Sequence, residues 1–126
     1  MVKKMSVLLS VFGASGYRYK FSLYTFDKVW GVEGSLPACG GVFLFLHRSF
    51  YKKRATFSYK SLYCNATDNL SEVSVGTLAH KMDILRSANC VAVLPIDAEA
   101  ERNSVARDII RRNINIGSFR NKRALN

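Results

Sequence analysis

Gly41-Val42-Phe43-Leu44-Phe45-Leu46-His47 and Phe57-Ser58-Tyr59-Lys60-Ser61-Leu62-Tyr63-Cys64 decide the fold. The first is a continuous apolar run of strand length, and Arg48 to Lys53 breaks it with bulk and charge. The second reads as the next strand, paired with the first through that basic connection. Upstream, Met5 to Phe12 is apolar and branched enough for a buried strand, closed by the turn-like Gly13-Ala14-Ser15-Gly16. Tyr17 to Phe26 alternates, with Tyr17, Tyr19, Phe21 and Leu23 on one side and Arg18, Lys20 and Ser22 on the other. That period of two predicts a half-buried strand and a hairpin with the first. Asp27 to Gly40, carrying Gly31, Gly34, Pro37 and Gly40, reads as a loop.

Downstream, Asp68-Asn69-Leu70 offers Asp68 as the cap of a short helix. Thr77 to Ser87 has helical spacing at Leu78, Met82 and Leu85, and Cys90 to Ile96 is another apolar strand, ended by Pro95. Asp97 to Asn113 is the clearest helix: Ala98, Val105, Ala106, Ile109 and Ile110 make one stripe, while Arg107, Arg111 and Arg112 project elsewhere. The basic tail from Gly117 is expected to fray. The order predicts an α/β (α+β) domain with a small, mostly antiparallel sheet flanked by helices.

A chain of 126 residues fits one domain with an adequate core, and 48% apolar residues argue against disorder. The formal charge of +10 suits phosphates or an acidic protein surface. Cys39, Cys64 and Cys90 are odd in number, widely spaced and set in apolar runs, with no zinc-ligand spacing to His47 or His80. They read as buried free thiols in a reducing, cytoplasmic setting; a disulfide between two strands stays open. No stretch approaches the roughly 20 apolar residues of a membrane helix. Met1 to Gly16 has the outline of a short secretory signal, against which a first β-strand is the preferred reading.

Gly41-Val42-Phe43, Ser61-Leu62-Tyr63-Cys64-Asn65 and Ala100-Glu101-Arg102-Asn103-Ser104-Val105-Ala106 also stand in an order and spacing that resemble the catalytic segments of GIY-YIG endonucleases. Tyr59 through Leu70 looks like that family's second strand running into its first helix, and Ala100 to Ile110 like its later helix. The resemblance covers about Phe21 to Gly117. It divides the chain into an N-terminal strand or hairpin extension (1–20), a GIY-YIG-like domain (21–117) and a basic tail (118–126). It implies a three-stranded antiparallel sheet flanked by helices, and hydrolysis of phosphodiesters with one divalent cation. In that chemistry a tyrosine helps activate water, an arginine stabilises the phosphate charge and a glutamate holds the metal.

At the matching positions this sequence departs from the pattern. The first tyrosine falls on Phe43, which has no oxygen; the second survives as Tyr63, but its glycine has become Asn65. The arginine falls on Val73 and the metal glutamate on Ala106, while His80 stands near a frequent family histidine, as a relic or an ordinary helix-surface side chain. Glu99, Glu101 and Asp108 share the helix, but 101 and 108 lie about 140° and 200° around from 106. The resemblance thus implies a degenerate member without its catalysis. No cofactor is expected, with Mg²⁺ or Mn²⁺ entering only under an active nuclease reading.

Two basic groups remain as binding candidates. Arg48, Lys52, Lys53 and Arg54 stand beside Phe50 and Tyr51 in the expected loop, with Lys60 following; Arg107, Arg111 and Arg112 run along the last helix. Rings that stack on bases beside cations that neutralise phosphates suit nucleic acid, DNA before RNA, as a blocker, repressor or targeting module. The alternatives are a solvated edge, or a protein-binding module whose cations meet an acidic partner.

Overall fold

Cys90-Val91-Ala92-Val93 is apolar on both sides because it becomes the middle of the sheet. The computed structural model describes residues 3–26, 36–73 and 87–112. Its strands are β1 (Lys3–Phe12), β2 (Arg18–Thr25), β3 (Gly41–Tyr51), β4 (Thr56–Thr67) and β5 (Cys90–Pro95), followed by helix α1 (Glu99–Arg112). They form one sheet in the order β1-β2-β5-β3-β4. Every neighbouring pair is antiparallel. The fold is therefore α+β with an antiparallel sheet, and β5 is the strand that joins the β1–β2 hairpin to the β3–β4 hairpin.

Alternation sorts the side chains into two cores. Phe21, Leu23, Val42, Leu44, Leu46, Cys64, Cys90 and Ala92 pack on one face against Val105, Ala106, Ile109 and Ile110 of α1. Tyr24, Phe43, Phe45, Tyr63, Val91 and Val93 occupy the other face with Leu36, Leu70 and Val73. Burying each large aliphatic or aromatic side chain contributes about 1.5–3 kcal/mol, so a sheet filled on both sides is the dominant stabilising feature. One bulge interrupts the β3–β4 register: Phe45 pairs with Tyr63 but Leu46 with Ser61, leaving Leu62 as the extra residue. Leu62 consequently joins the same core as Tyr63.

Several expectations change. Arg48 to Tyr51 do not end the strand; β3 runs to Tyr51, because these residues pair in register with Thr56–Tyr59 of β4, whose polar and apolar side chains alternate. The connection shrinks to the 3₁₀ turn Lys52–Arg54, closed by Ala55 at φ 49°. β4 likewise runs on through Asn65 to Thr67. The cap is Asn69 rather than Asp68: its Oδ1 accepts from the Ser71 N–H of the 3₁₀ turn Leu70–Glu72, at 3.1 Å. Ala98 precedes α1 and is exposed, and its expected place on the stripe is taken by Arg102, only 9% exposed. Arg102 fits there because its Nη1 donates to the Asp97 carbonyl at 2.9 Å. The expected 77–86 part of a helix, the 27–35 part of a loop and the tail from Gly117 lie outside the described residues.

The division at residue 20 falls inside β2, whose Ser22 to Thr25 pair with β5, so the hairpin is continuous with the rest of the sheet. Its turn is tied to α1 by Asp108. The carboxylate accepts from Ser15 N at 2.9 Å, Ser15 Oγ at 2.7 Å and Tyr19 Oη at 2.6 Å. Gly13 is required beneath it, since a Cβ there would overlap the carboxylate. These bonds, Tyr19 first and Ser15 second, hold the Asp108 carboxyl below its ordinary value. Tyr19 rises to about 12, from burial and then from Asp108. Cys39, Cys64 and Cys90 are free, with Cys64 and Cys90 buried.

A depressed carboxyl contributes stability that is full above the unfolded value and lost as pH falls through the folded one. Wild type should therefore lose more stability than Asp108→Asn below about pH 4, measured by urea midpoints; parallel curves would contradict the tether. Burial pushes the Cys64 thiol up to about 12. In a thiol-reagent titration at neutral pH, half-buried Cys39 should react first, and Cys64 only on unfolding.

Candidate nucleic-acid interface

β5 covers β3 only as far as Leu46, opposite Cys90. The β3–β4 pairing continues to Tyr51 opposite Thr56. Beyond Leu46 the hairpin is thus a two-stranded ribbon, projecting about 17 Å at the usual rise per residue. Among the described residues no third strand joins it; His47, Arg48 and Tyr59 at its root are half-buried, and the side chains from Ser49 to Ser58 are exposed. Phe50, Tyr51 and Phe57 are 54%, 48% and 45% exposed.

The pleat divides these side chains. Arg48, Phe50, Phe57 and Tyr59 continue the row of Leu44 and Leu46; His47, Ser49, Ser58 and Lys60 take the other side. On the first side the Arg48 guanidinium lies 4.2 Å over the Phe57 ring, and Phe50 meets Phe57 edge-on at 5.2 Å. The Arg48–Phe57 contact contributes about 0.5–1 kcal/mol at an exposed site and leaves the guanidinium edge open to a phosphate. On the second side Ser49 and Ser58 share a hydroxyl hydrogen bond of 3.0 Å. Lys52, Lys53 and Arg54 crown the tip, all exposed. No carboxylate occurs from His47 to Lys60, so the cations repel one another within a short span.

The ribbon is anchored where it leaves the sheet. Asn89 Oδ1 accepts from Arg48 N at 2.7 Å, and its Nδ2 donates to Arg48 O at 3.0 Å. The side-chain amide thereby adds one more rung to the β3–β5 ladder after the strand itself has ended. The Asn89 backbone serves both hairpins: its N–H donates to Leu46 O at 3.0 Å, and its carbonyl accepts from Phe26 N at 3.1 Å. His47 Nδ1 lies 2.8 Å from Ser87 O on the same root.

Arg48, Lys52, Lys53, Arg54 and Lys60 therefore share the ribbon, Arg48 and Lys60 on opposite faces near its root and the other three at its tip, and the helix arginines are not among them. Arg112 Nη1 donates to Gly13 O at 3.3 Å, beside the β1–β2 turn. Strand register places that turn near Gly41, at the sheet end opposite the ribbon tip. Arg107 and Arg111 flank Asp108 on the same helix. The two basic groups are separate surfaces.

The positions matched to the nuclease pattern do not converge either. Phe43, Tyr63 and Val73 share one core, whereas Ala106 is packed in the other, across the sheet. Phe43 is 5% exposed and stacks at 5.9 Å, tilted, on Tyr63. Burial raises the Tyr63 phenol above its ordinary value, and its oxygen accepts from Asn65 Nδ2 at 3.1 Å. His80 lies outside the described residues. Of Glu99, Glu101 and Asp108, the carboxylates considered as substitutes, Asp108 is engaged with Ser15 and Tyr19. Among the described residues no group of three or more His, Cys, Asp or Glu side chains is gathered as a metal site requires, and no helix is long and apolar enough to cross a membrane.

Asn89, Asp108 and Arg102 are the structural discoveries that residue patterns missed. Asn89 carries the turn signal of any asparagine before a strand, and nothing local marks its partner at Arg48. Comparisons of this chain with protein-family models, curated proteins and solved structures returned no match.

Removing the Asn89 amide takes away both hydrogen bonds to the half-buried Arg48 backbone, at a net cost of about 0.5–1.5 kcal/mol each. Asn89→Ala should lower the urea midpoint and speed amide exchange at Arg48 while Leu44 stays protected. Unchanged exchange at Arg48 would mean the ribbon root is held some other way.

Proposed function

We propose that the protein binds nucleic acid, duplex DNA in the first instance, through the β3–β4 ribbon, and that it does so without cutting. The observation that carries this reading is the ribbon itself: Lys52, Lys53 and Arg54 at its tip and Arg48 and Lys60 toward its root, with exposed Phe50, Tyr51 and Phe57, on a two-stranded projection whose sequence from His47 to Lys60 has no carboxylate. A two-stranded ribbon fits the B-form major groove, about 12 Å wide, whereas the A-form major groove is too narrow for it. Phosphates would relieve the mutual repulsion of the tip cations, and the rings would meet sugar or unstacked bases. Binding without cleavage accords with Phe43, which has no phenolic oxygen, and with Ala106, which offers no ligand and faces the opposite core. In this reading the chain acts as a blocker or targeting module in a reducing, cytoplasmic setting, in keeping with its free thiols.

Fluorescence anisotropy of a labelled DNA duplex, titrated with Mg²⁺ and again with EDTA, tests it. The expected result is a stable rise in both, with log affinity falling by about 0.9 per phosphate contact for each log unit of salt. Lys52→Ala/Lys53→Ala/Arg54→Ala should lower that slope by about 0.9 for each contact removed. No rise in either buffer would shift the reading to an acidic protein partner, and decay seen only with Mg²⁺ would mean the chain cuts.

A further inference from the structure

The β2–β5 ladder stops at Ser22 opposite Val93, yet both strands continue, β2 back to Arg18 and β5 on to Pro95. Pro95 has no N–H to offer β2, and the strands part there. An open hollow of about 650 Å³ lies at the gap, lined by Tyr17, Arg18, Tyr19 and Lys20 and, from α1, by Glu101 and Val105. That volume is within the range of small-ligand sites.

Alternation gives the slot two unlike ends. Tyr19 packs toward the α1 core, and Arg18 and Lys20 take the other side of the strand. The Tyr17 and Tyr19 rings are 4.8 Å apart and tilted by 47°. Tyr19 is fixed by its 2.6 Å hydrogen bond to Asp108, whereas Tyr17 is 64% exposed and offers a free ring face. A second hollow of about 540 Å³ adjoins, sharing Ser15 and Tyr19 and adding Arg107 and Arg111.

We propose that this slot binds a nucleoside phosphate, with the base against the tyrosines and the phosphate held by Arg18 and Lys20. Base–aromatic stacking and charge-assisted phosphate contacts are the interactions these side chains can make. Glu101 supplies an acceptor for a base amino group or a sugar hydroxyl. An inserted peptide strand suits the gap poorly, because Leu94, Pro95 and Ile96 border it on that side, Pro95 donates nothing and the Ile96 N–H is already given to Gly40 O. The site is independent of the ribbon, which lies at the opposite end of the sheet.

Isothermal titration of the full chain with AMP, adenosine and inorganic phosphate tests the assignment. AMP should bind one to one, about tenfold or more tighter than adenosine or phosphate alone, because only AMP engages both ends. Arg18→Ala/Lys20→Ala should weaken AMP by about tenfold or more and leave adenosine unchanged. Tyr17→Ala should weaken AMP and adenosine alike. All three side chains are exposed, so circular dichroism should show an intact fold. No AMP binding at millimolar concentration, phosphate binding as tightly as AMP, or insensitivity to Arg18 and Lys20 would each overturn the proposal.

Discussion

Everything in the sheet depends on β5 being both central and short. It hydrogen-bonds to β2 on one side and β3 on the other, and its Cys90 to Val93 are buried on both faces. Without it the two hairpins would be separate pairs of strands, each too small to be stable alone. Yet β5 has six residues, against 11 in β3 and 12 in β4. Beyond Leu46 the mismatch leaves β3 and β4 overhanging; at the other end Gly41 and Thr67 finish level with Pro95, and only β2 runs past its ladder with β5. At one end β3 and β4 continue as the basic ribbon; at the other β2 and β5 part and open the slot. The ribbon follows from the length of β5, and the slot from Pro95, which has no N–H to give β2.

Polar side chains manage those overhangs. Asn89 extends the ladder by a rung where β5 can no longer do so, and gives the ribbon a defined root. Asp108 performs the corresponding service at the other end, fixing the β1–β2 turn to α1 through Ser15 and Tyr19. The helix carries Glu99 and Glu101 in its first turn and Arg111 and Arg112 in its last, each sign at the end the peptide dipoles favour. A basic chain thus keeps a key carboxylate engaged in structure, and the cations of its ribbon stand in a stretch, His47 to Lys60, that has no carboxylate.

Strand existence was legible in the residues because apolar runs such as Gly41 to His47 and the alternation from Tyr17 to Phe26 are local signals. Strand length was not: Arg48 to Tyr51 look like a break in hydrophobicity, and only pairing with β4 shows them to be a continued pleat. The placement of β5 between two hairpins was equally hidden, since it rests on contacts between residues far apart in sequence. So were the roles of Asn89 and Asp108, whose partners at Arg48 and Ser15 carry no reciprocal motif. The cations of the ribbon could be named from sequence, but their separation from Arg107, Arg111 and Arg112 required the register. The nuclease-like order of segments illustrates the same limit, because linear spacing set Ala106 beside Phe43 and Tyr63 while the sheet stands between them.

The most direct test of the ribbon as the binding surface is to follow backbone amide shifts of ¹⁵N-labelled protein as unlabelled DNA duplex is added. The account predicts that the largest changes fall between His47 and Lys60 and fade with added salt, with the β1–β2 turn and the last turn of α1 little affected. Changes centred on Arg107, Arg111 and Arg112 instead, with the ribbon silent, would contradict it.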